Sequence, residues 1–345
     1  MMKKNLMEIL VCPICKGEMK LETKDKNRED IFQGELVCKT CSKSYSISEG
    51  IPRLVDDKLF QKENKHQEVC QANQVYHDMI AELYEEDESL AGSHNQFNQQ
   101  RIENIVKTIS QQAGNDWFLG LACGTGNVLK FGQKYFKNAV GVDISIGMLK
   151  VAQNKGLEVI QADILKLPFG TEVFNSASCF SVLHHLYDQK PFFEETYRVL
   201  AKNGILYTDW DPVARPKINK SGFKWKIFLT SKQVFKFLVK SLLGGRKEEK
   251  EQLNYRRMNP ASYETYKKAE YHLPSDGEGG EGIDFRRIKP ELLSMGYKEA
   301  KPTFHWNGKK FCELPLKERL HTRAMQLFGF LPKGFMDNVQ MIVKK

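Results

Sequence analysis

Four cysteines carry the most specific chemistry in the chain. Cys12-Pro13-Ile14-Cys15 and Cys38-Lys39-Thr40-Cys41 are two Cys-x2-Cys pairs with 22 residues between them. A two-residue gap lets a tight turn aim both sulfurs at one ion, and two such turns complete a closed tetrahedral S4 shell suited to Zn2+. The array therefore predicts a structural zinc on Cys12, Cys15, Cys38 and Cys41, with no open coordination position for catalysis. Cys70, Cys123, Cys179 and Cys312 are isolated and read as small apolar residues. His66 and Cys70 lie four apart, but two donors do not make a site, so the spacing predicts a solvent-facing helix there.

A second constellation lies further on. The apolar run from Trp117 enters a glycine-rich turn, Ala122-Cys123-Gly124-Thr125-Gly126, and Asn127 to Phe136 can open a helix. Strand, glycine turn and helix together let backbone N–H groups approach a ligand closely. Seventeen positions after Gly126, the apolar run from Ala139 ends in Asp143, where an acid accepts hydrogen bonds from ribose hydroxyls. A nicotinamide-dependent reductase would need a third glycine where this chain has Leu129, which counts against that reading.

These residues need elements to hold them. Leu21–Lys24 and Ile31–Val37 alternate like short strands around a polar loop, and a module of about fifty residues needs a metal to supplement its small core. Ile102, Ile105, Val106 and Ile109 recur at helical spacing before Gly114. Leu157–Gln161, Asn175–Ser181 and Gly204–Trp210 read as further strands, Lys190–Leu200 and Arg287–Met295 as helices, and Lys298–His305 and Asn338–Val343 as closing strands. Alternation of this kind implies a doubly wound α/β sheet with its ligand at the carboxyl ends of the strands. The expected organisation is a zinc-ribbon module over 1–56 and a helical linker over 57–115. A cofactor-binding core over 116–212, a basic, partly helical insertion over 213–284 and the end of the sheet over 285–345 follow.

Composition narrows the class. With 345 residues and 41% hydrophobic positions the chain can bury a core, and no apolar run reaches the roughly 18 residues that span a bilayer. Glu8 interrupts the short apolar stretch after Lys3 and Lys4, which argues against a secretory leader and for the cytoplasm. The net charge of +9 is uneven: residues 1–211 hold 24 basic and 29 acidic side chains, and 212–345 hold 28 and 14.

Leu10–Cys15 together with Tyr45–Val55 resembles the small zinc-ribbon proteins that activate tRNA, rRNA and translation-factor methyltransferases. That resemblance implies a zinc-stabilised β module docked on a methyltransferase. The region from about 74 to 210 resembles the class I S-adenosylmethionine-dependent methyltransferases of Rossmann-like fold. It does so through Ala122–Gly126, Asp143, Ala162-Asp163 with Leu167-Pro168-Phe169, Val182–Leu186 and Arg198–Gly204. The resemblance implies that Ala122, Cys123, Gly124, Thr125 and Gly126 hold the methionine part of S-adenosylmethionine and Asp143 its ribose. Ile144 would lie on the adenine and Asp163 would accept from its amino group, with Tyr84, Gly120, Met148, Ile164 and Ser181 completing the cofactor shell. Gly120 is a departure, since an acid is usual there, and it motivates a rival reading as a non-catalytic cofactor-binding or scaffold protein.

The acceptor is the open question. Arg215 to Lys247 holds ten basic residues and no acidic one, interleaved with Phe223, Trp225, Phe228, Phe235 and Phe237. A helical cap with a solvated basic face, a lid over an apolar or anionic small substrate with peripheral membrane contact through 215–247, and RNA binding all fit this pattern. His184, His185, Trp210 and Asp211 fall on the crevice side of such a fold and are the candidate acceptor residues. His185 is also the candidate general base, because an imidazole titrates near working pH; turn contacts are the alternative role for both histidines. The expected activity is methylation of a small-molecule or lipid-like acceptor, with an rRNA or tRNA methyltransferase as the alternative.

Overall fold

The computed structural model describes residues 2–23, 30–61, 64–84, 96–186, 188–212, 283–305 and 338–345. The 213–282 segment, and with it nearly all of the basic insertion, lies outside the described residues, as does Cys312.

Five buried runs build the centre. β7 (Trp117–Leu121), β8 (Asn138–Asp143), β9 (Val159–Ala162), β10 (Phe174–Phe180) and β11 (Leu200–Pro212) are nearly continuously buried, apart from Lys202 and Asn203 of β11. Strands covered on both faces require this, and all five are parallel. β13 (Asn338–Lys344) runs antiparallel between β11 and β12 (Glu299–His305). The order β12-β13-β11-β10-β7-β8-β9 reverses between β7 and β10, and that reversal opens a crevice at their carboxyl ends. The covering helices are α2 (Gln96–Ala113), α3 (Leu129–Tyr135), α4 (Ile146–Asn154), α5 (Lys190–Val199) and α6 (Phe285–Ser294).

The N-terminal module continues the same sheet. β2 (Met19–Glu22), β4 (Gly34–Cys38) and β5 (Ser44–Ser48) form an antiparallel meander that ends in β6 (Ile51–Leu54). Glu49 and Gly50, both at positive φ (53° and 77°), make the tight β5–β6 turn that a right-handed hairpin twist demands. β6 then pairs in parallel with β9, Arg53 against Gln161 and Leu54 against Ala162. Among the described residues the result is one eleven-stranded sheet. Two short strands, β1 (Met2–Lys3) and β3 (Asp30–Ile31), pair separately.

Packing follows the sheet. A single apolar cluster runs from Met2, Leu6, Leu36 and Tyr45 to Leu119, Phe169, Phe174 and Leu206. A backbone bridge joins Leu10 to Phe169, with Val11 N donating to Pro168 O at 3.0 Å and Gly170 N to Ile9 O at 2.9 Å. Lys16 reaches across to Leu167 O and to Glu195, each at 3.0 Å.

Candidate cofactor pocket and metal centre

The four cysteine sulfurs converge within 4.8 Å of one another. Cys12 and Cys41 are 3.7 Å apart and Cys15 and Cys38 3.4 Å, close to the ~3.7 Å edge of a tetrahedron with Zn–S near 2.3 Å. Burial would raise the Cys38 thiol, but N–H donors from Cys41 and Thr40, each 3.4 Å from its sulfur, outweigh it and bring the group down to about 6. A donor set of this chemistry and spacing fits one structural zinc.

The crevice is organised by Asp143 at the end of β8. Its Oδ2 accepts from Gly124 N at 2.8 Å and its Oδ1 from Ser145 N at 2.9 Å, so one carboxylate ties the glycine turn to the start of α4. Burial pushes this carboxyl up, and the Ser145 amide, the charge of His77 and the Gly124 amide pull it partly back. The turn itself needs glycine at 126, where φ is +87° and an added Cβ would meet Leu157 Cδ1 at 2.1 Å.

Helix α1 (Lys65–Ile80) roofs the crevice. Asn64 caps it, and Gln67 returns the bond in a capping box. Its far end is clasped to α4: Asp78 Oδ1 accepts from Ser145 Oγ at 2.6 Å and from Gly147 N at 2.7 Å. A side chain at Gly147 would lie 3.0 Å from the Asp78 backbone, so the glycine permits the close approach. Asp78→Ala is expected to loosen this roof and raise KM for the cofactor about three- to tenfold with little change in kcat, as for the loss of two hydrogen bonds to one carboxylate. Steady-state kinetics check this; an unchanged KM would show that the clasp does not shape the cofactor site.

Roof and sheet bound a partly open cleft, a concave and partly apolar site of the kind that takes small molecules. Among the residues expected to hold a cofactor, Tyr84, Ala122, Gly124, Asp143 and Ile144 line it, as do Met148, Asp163, Ile164 and Ser181. Gly120, Cys123, Thr125 and Gly126 do not. The Cys123 side chain packs between Gly120 and Gly141, so the position that usually bears an acid faces packed interior.

Of the candidate acceptor residues, His185 lines the cleft, 6.1 Å edge-on to His77 of α1. His184 turns away and its Nδ1 pairs with the fully buried Asp211 at 2.9 Å. Trp210 stands at the strand end with φ +64° and, like Asp211, lies off the cleft wall.

The expectation of a solvent-facing helix at His66 and Cys70 is corrected here: the helix forms, but that face does not meet solvent. Both line the cleft, with Asn73 and His77 beside them, and His66 Nε2 lies 3.2 Å from Asp163 Oδ2. Burial, reinforced by Asp163, pushes the Cys70 thiol up. The signal available in sequence was the i, i+4, i+7, i+11 spacing of His66, Cys70, Asn73 and His77, which puts all four on one helical face.

Two stretches of the chain match known families. Residues 119–208 match the family described as a methyltransferase domain, and residues 3–50 match the Trm112p-like proteins. A UPF0434 protein of Methylobacillus flagellatus is 44% identical over 57 residues, 16% of this chain and 82% of that protein. An uncharacterized protein of Methanocaldococcus jannaschii is 34% identical over 141 residues, 39% of this chain and 54% of the other. The tRNA (carboxymethyluridine(34)-5-O)-methyltransferase of Arabidopsis thaliana is 36% identical over 96 residues, 27% of this chain and 23% of that enzyme. The chain thus spans about half of one of these relatives and under a quarter of another.

Proposed function

We infer that this chain, which belongs to the class I S-adenosylmethionine-dependent methyltransferases and carries a Trm112p-like zinc ribbon, transfers a methyl group to a small or lipid-like acceptor in the cytoplasm. The observation that carries the reading is the roofed cleft: α1 covers one side of a partly apolar, partly open pocket. Its residues fit the donor. Asp143, a buried acceptor at a strand end, takes the ribose diol; the glycine turn at Ala122 and Gly124, held by Asp143, takes the methionine end; and Ile144 and Ile164 offer apolar walls to the purine. Asp163 accepts from the adenine amino group.

When bound, S-adenosylmethionine supplies a methyl already activated on sulfonium, so the protein chiefly aligns the acceptor and excludes water. Phe180, Val182 and Leu186 supply the apolar part of the acceptor end, and His185 is the group there able to take a proton from an oxygen or nitrogen acceptor. Asp211 holds the neighbouring His184, which fixes the 3-10 turn Leu183–His185 that presents His185.

A second reading, methylation of tRNA, is supported by the Arabidopsis relative and by the basic excess after residue 212. Labelled methyl groups followed into the RNA, lipid and small-molecule fractions of a lysate decide between them. Label in lipid or small molecules supports the first reading and label in RNA the second. Cofactor binding with no label anywhere would leave a binding protein rather than an enzyme.

A further inference from the structure

Three donors of different hardness meet at the adenine end of the cleft. His66 Nε2 is 3.2 Å from Asp163 Oδ2, Cys70 Sγ is 3.5 Å from His66 Nε2, and one ligand atom from each side chain lies within 4.8 Å of the other two. A tetrahedral zinc ion at ordinary bond lengths would set an N–O edge of about 3.3 Å and an N–S edge of about 3.6 Å. We propose that His66, Cys70 and Asp163 form a second metal site, which takes one Zn2+ ion and holds the methyl donor out while it is occupied. The competitive half of this statement rests on the cofactor reading under Proposed function; the metal site itself does not.

The residues already have the setting that such a site needs. Asp163 is buried, and its other oxygen is committed to Leu165 N at 2.8 Å, which leaves Oδ2 to point at His66. His66 and Cys70 are one turn apart on α1, a spacing that brings imidazole and thiol to one face. All three side chains line the cleft, so the fourth coordination position opens onto it. Three protein donors with one open position is the pattern of accessible zinc sites, in contrast to the closed shell of the ribbon. The Cys70 sulfur lies 3.5 Å from one ring nitrogen of His66 and 3.7 Å from the other, so capture of the ion requires a turn of the imidazole. An ion there would occupy Asp163, the acceptor assigned to the adenine amino group. The four-thiolate centre fills first, and this site fills only as free zinc rises, which makes methyl transfer sensitive to zinc supply.

The test uses the full chain with its ribbon loaded with one zinc, titrated with Co2+ as a coloured stand-in. The expected result is a second equivalent bound with a thiolate-to-cobalt charge-transfer band. Cys70→Ser should abolish the band, and His66→Gln should weaken the second equivalent at least about tenfold. Both variants should keep the ribbon zinc, which reports that they fold. In calorimetry, one added equivalent of Zn2+ should weaken S-adenosylmethionine binding at least tenfold in the parent chain and leave it unaltered in His66→Gln. The proposal is overturned by the absence of a second equivalent, or by one that binds equally well in both variants. A chain that carries its ribbon zinc and no second ion yet fails to bind S-adenosylmethionine overturns the cofactor reading and the competition with it, and the cobalt titration then decides for or against the site by itself.

Discussion

Asp143→Ala is expected to weaken S-adenosylmethionine binding by about 100- to 1,000-fold, the equivalent of roughly 3–4 kcal/mol. Two effects add. The variant loses the acceptor for the ribose diol, a charge-assisted interaction of about 1.5–3 kcal/mol. It also frees Gly124 N and Ser145 N, which the two carboxylate oxygens now hold at 2.8 and 2.9 Å, so the glycine turn and the start of α4 lose their common tether. Asp143→Asn should not rescue binding, because its amide group turns a donor toward one of those two N–H groups. Protonation of Asp143 has the same effect. Burial raises this carboxyl above the ordinary range, so affinity should fall on acidification at a higher pH than an ordinary aspartate would dictate. Calorimetry at several pH values reads both effects; a loss under threefold in Asp143→Ala would show that the carboxylate does not organise the pocket.

Removing the ribbon zinc, by chelation or by Cys38→Ser, is expected to destabilise the whole described body rather than the ribbon alone. The reason is the continuity of packing. Met2, Leu36 and Tyr45 share one apolar cluster with Leu119 and Phe169, and β6 is a strand of the central sheet. Loss of the metal shell should cost at least about 3 kcal/mol, which lowers Tm by about 6–12 °C at roughly 2–4 °C per kcal/mol. Cofactor affinity should fall as well. Residues 9–16 grip the segment 167–170 through Val11, Ile9 and Lys16, and that segment continues from Asp163 in the cleft. Scanning calorimetry of the zinc-loaded and zinc-free chain should show one transition that moves. A separate early transition followed by an unmoved main one would refute the shared core.

Much of this architecture was legible in the residues. β7, β8 and β9 are short, mostly apolar runs that lead into the glycine turn, Asp143 and Asp163, the pattern of strands covered on both faces, whereas β10 and β11 carry polar residues among their buried positions. The cysteine spacings likewise carry their chemistry on the surface. What could not be read were contacts set by long chain separation. The parallel pairing of β6 with β9 rests on two residue pairs 108 positions apart, Arg53 with Gln161 and Leu54 with Ala162. Nothing in Ile51–Leu54 announces that partner. His66 and Cys70 gave two donors at helical spacing, and the third, Asp163, arrives only when α1 folds over the sheet. The segment 57–115 reads in sequence as a helical linker. Its role as a roof depends on Asp78 reaching Ser145 and Gly147, a tertiary bond with no local signature.

The strand β6 also bears on how the ribbon associates. Because the ribbon and the sheet edge at β9 are tethered in one chain, the ribbon's effective concentration at that edge is on the order of millimolar, whatever the bulk concentration. Dilution therefore does not part them, and a free ribbon protein supplied in trans would find the edge already filled. The two halves are held at one-to-one stoichiometry by covalent linkage, and expression level has no say in it.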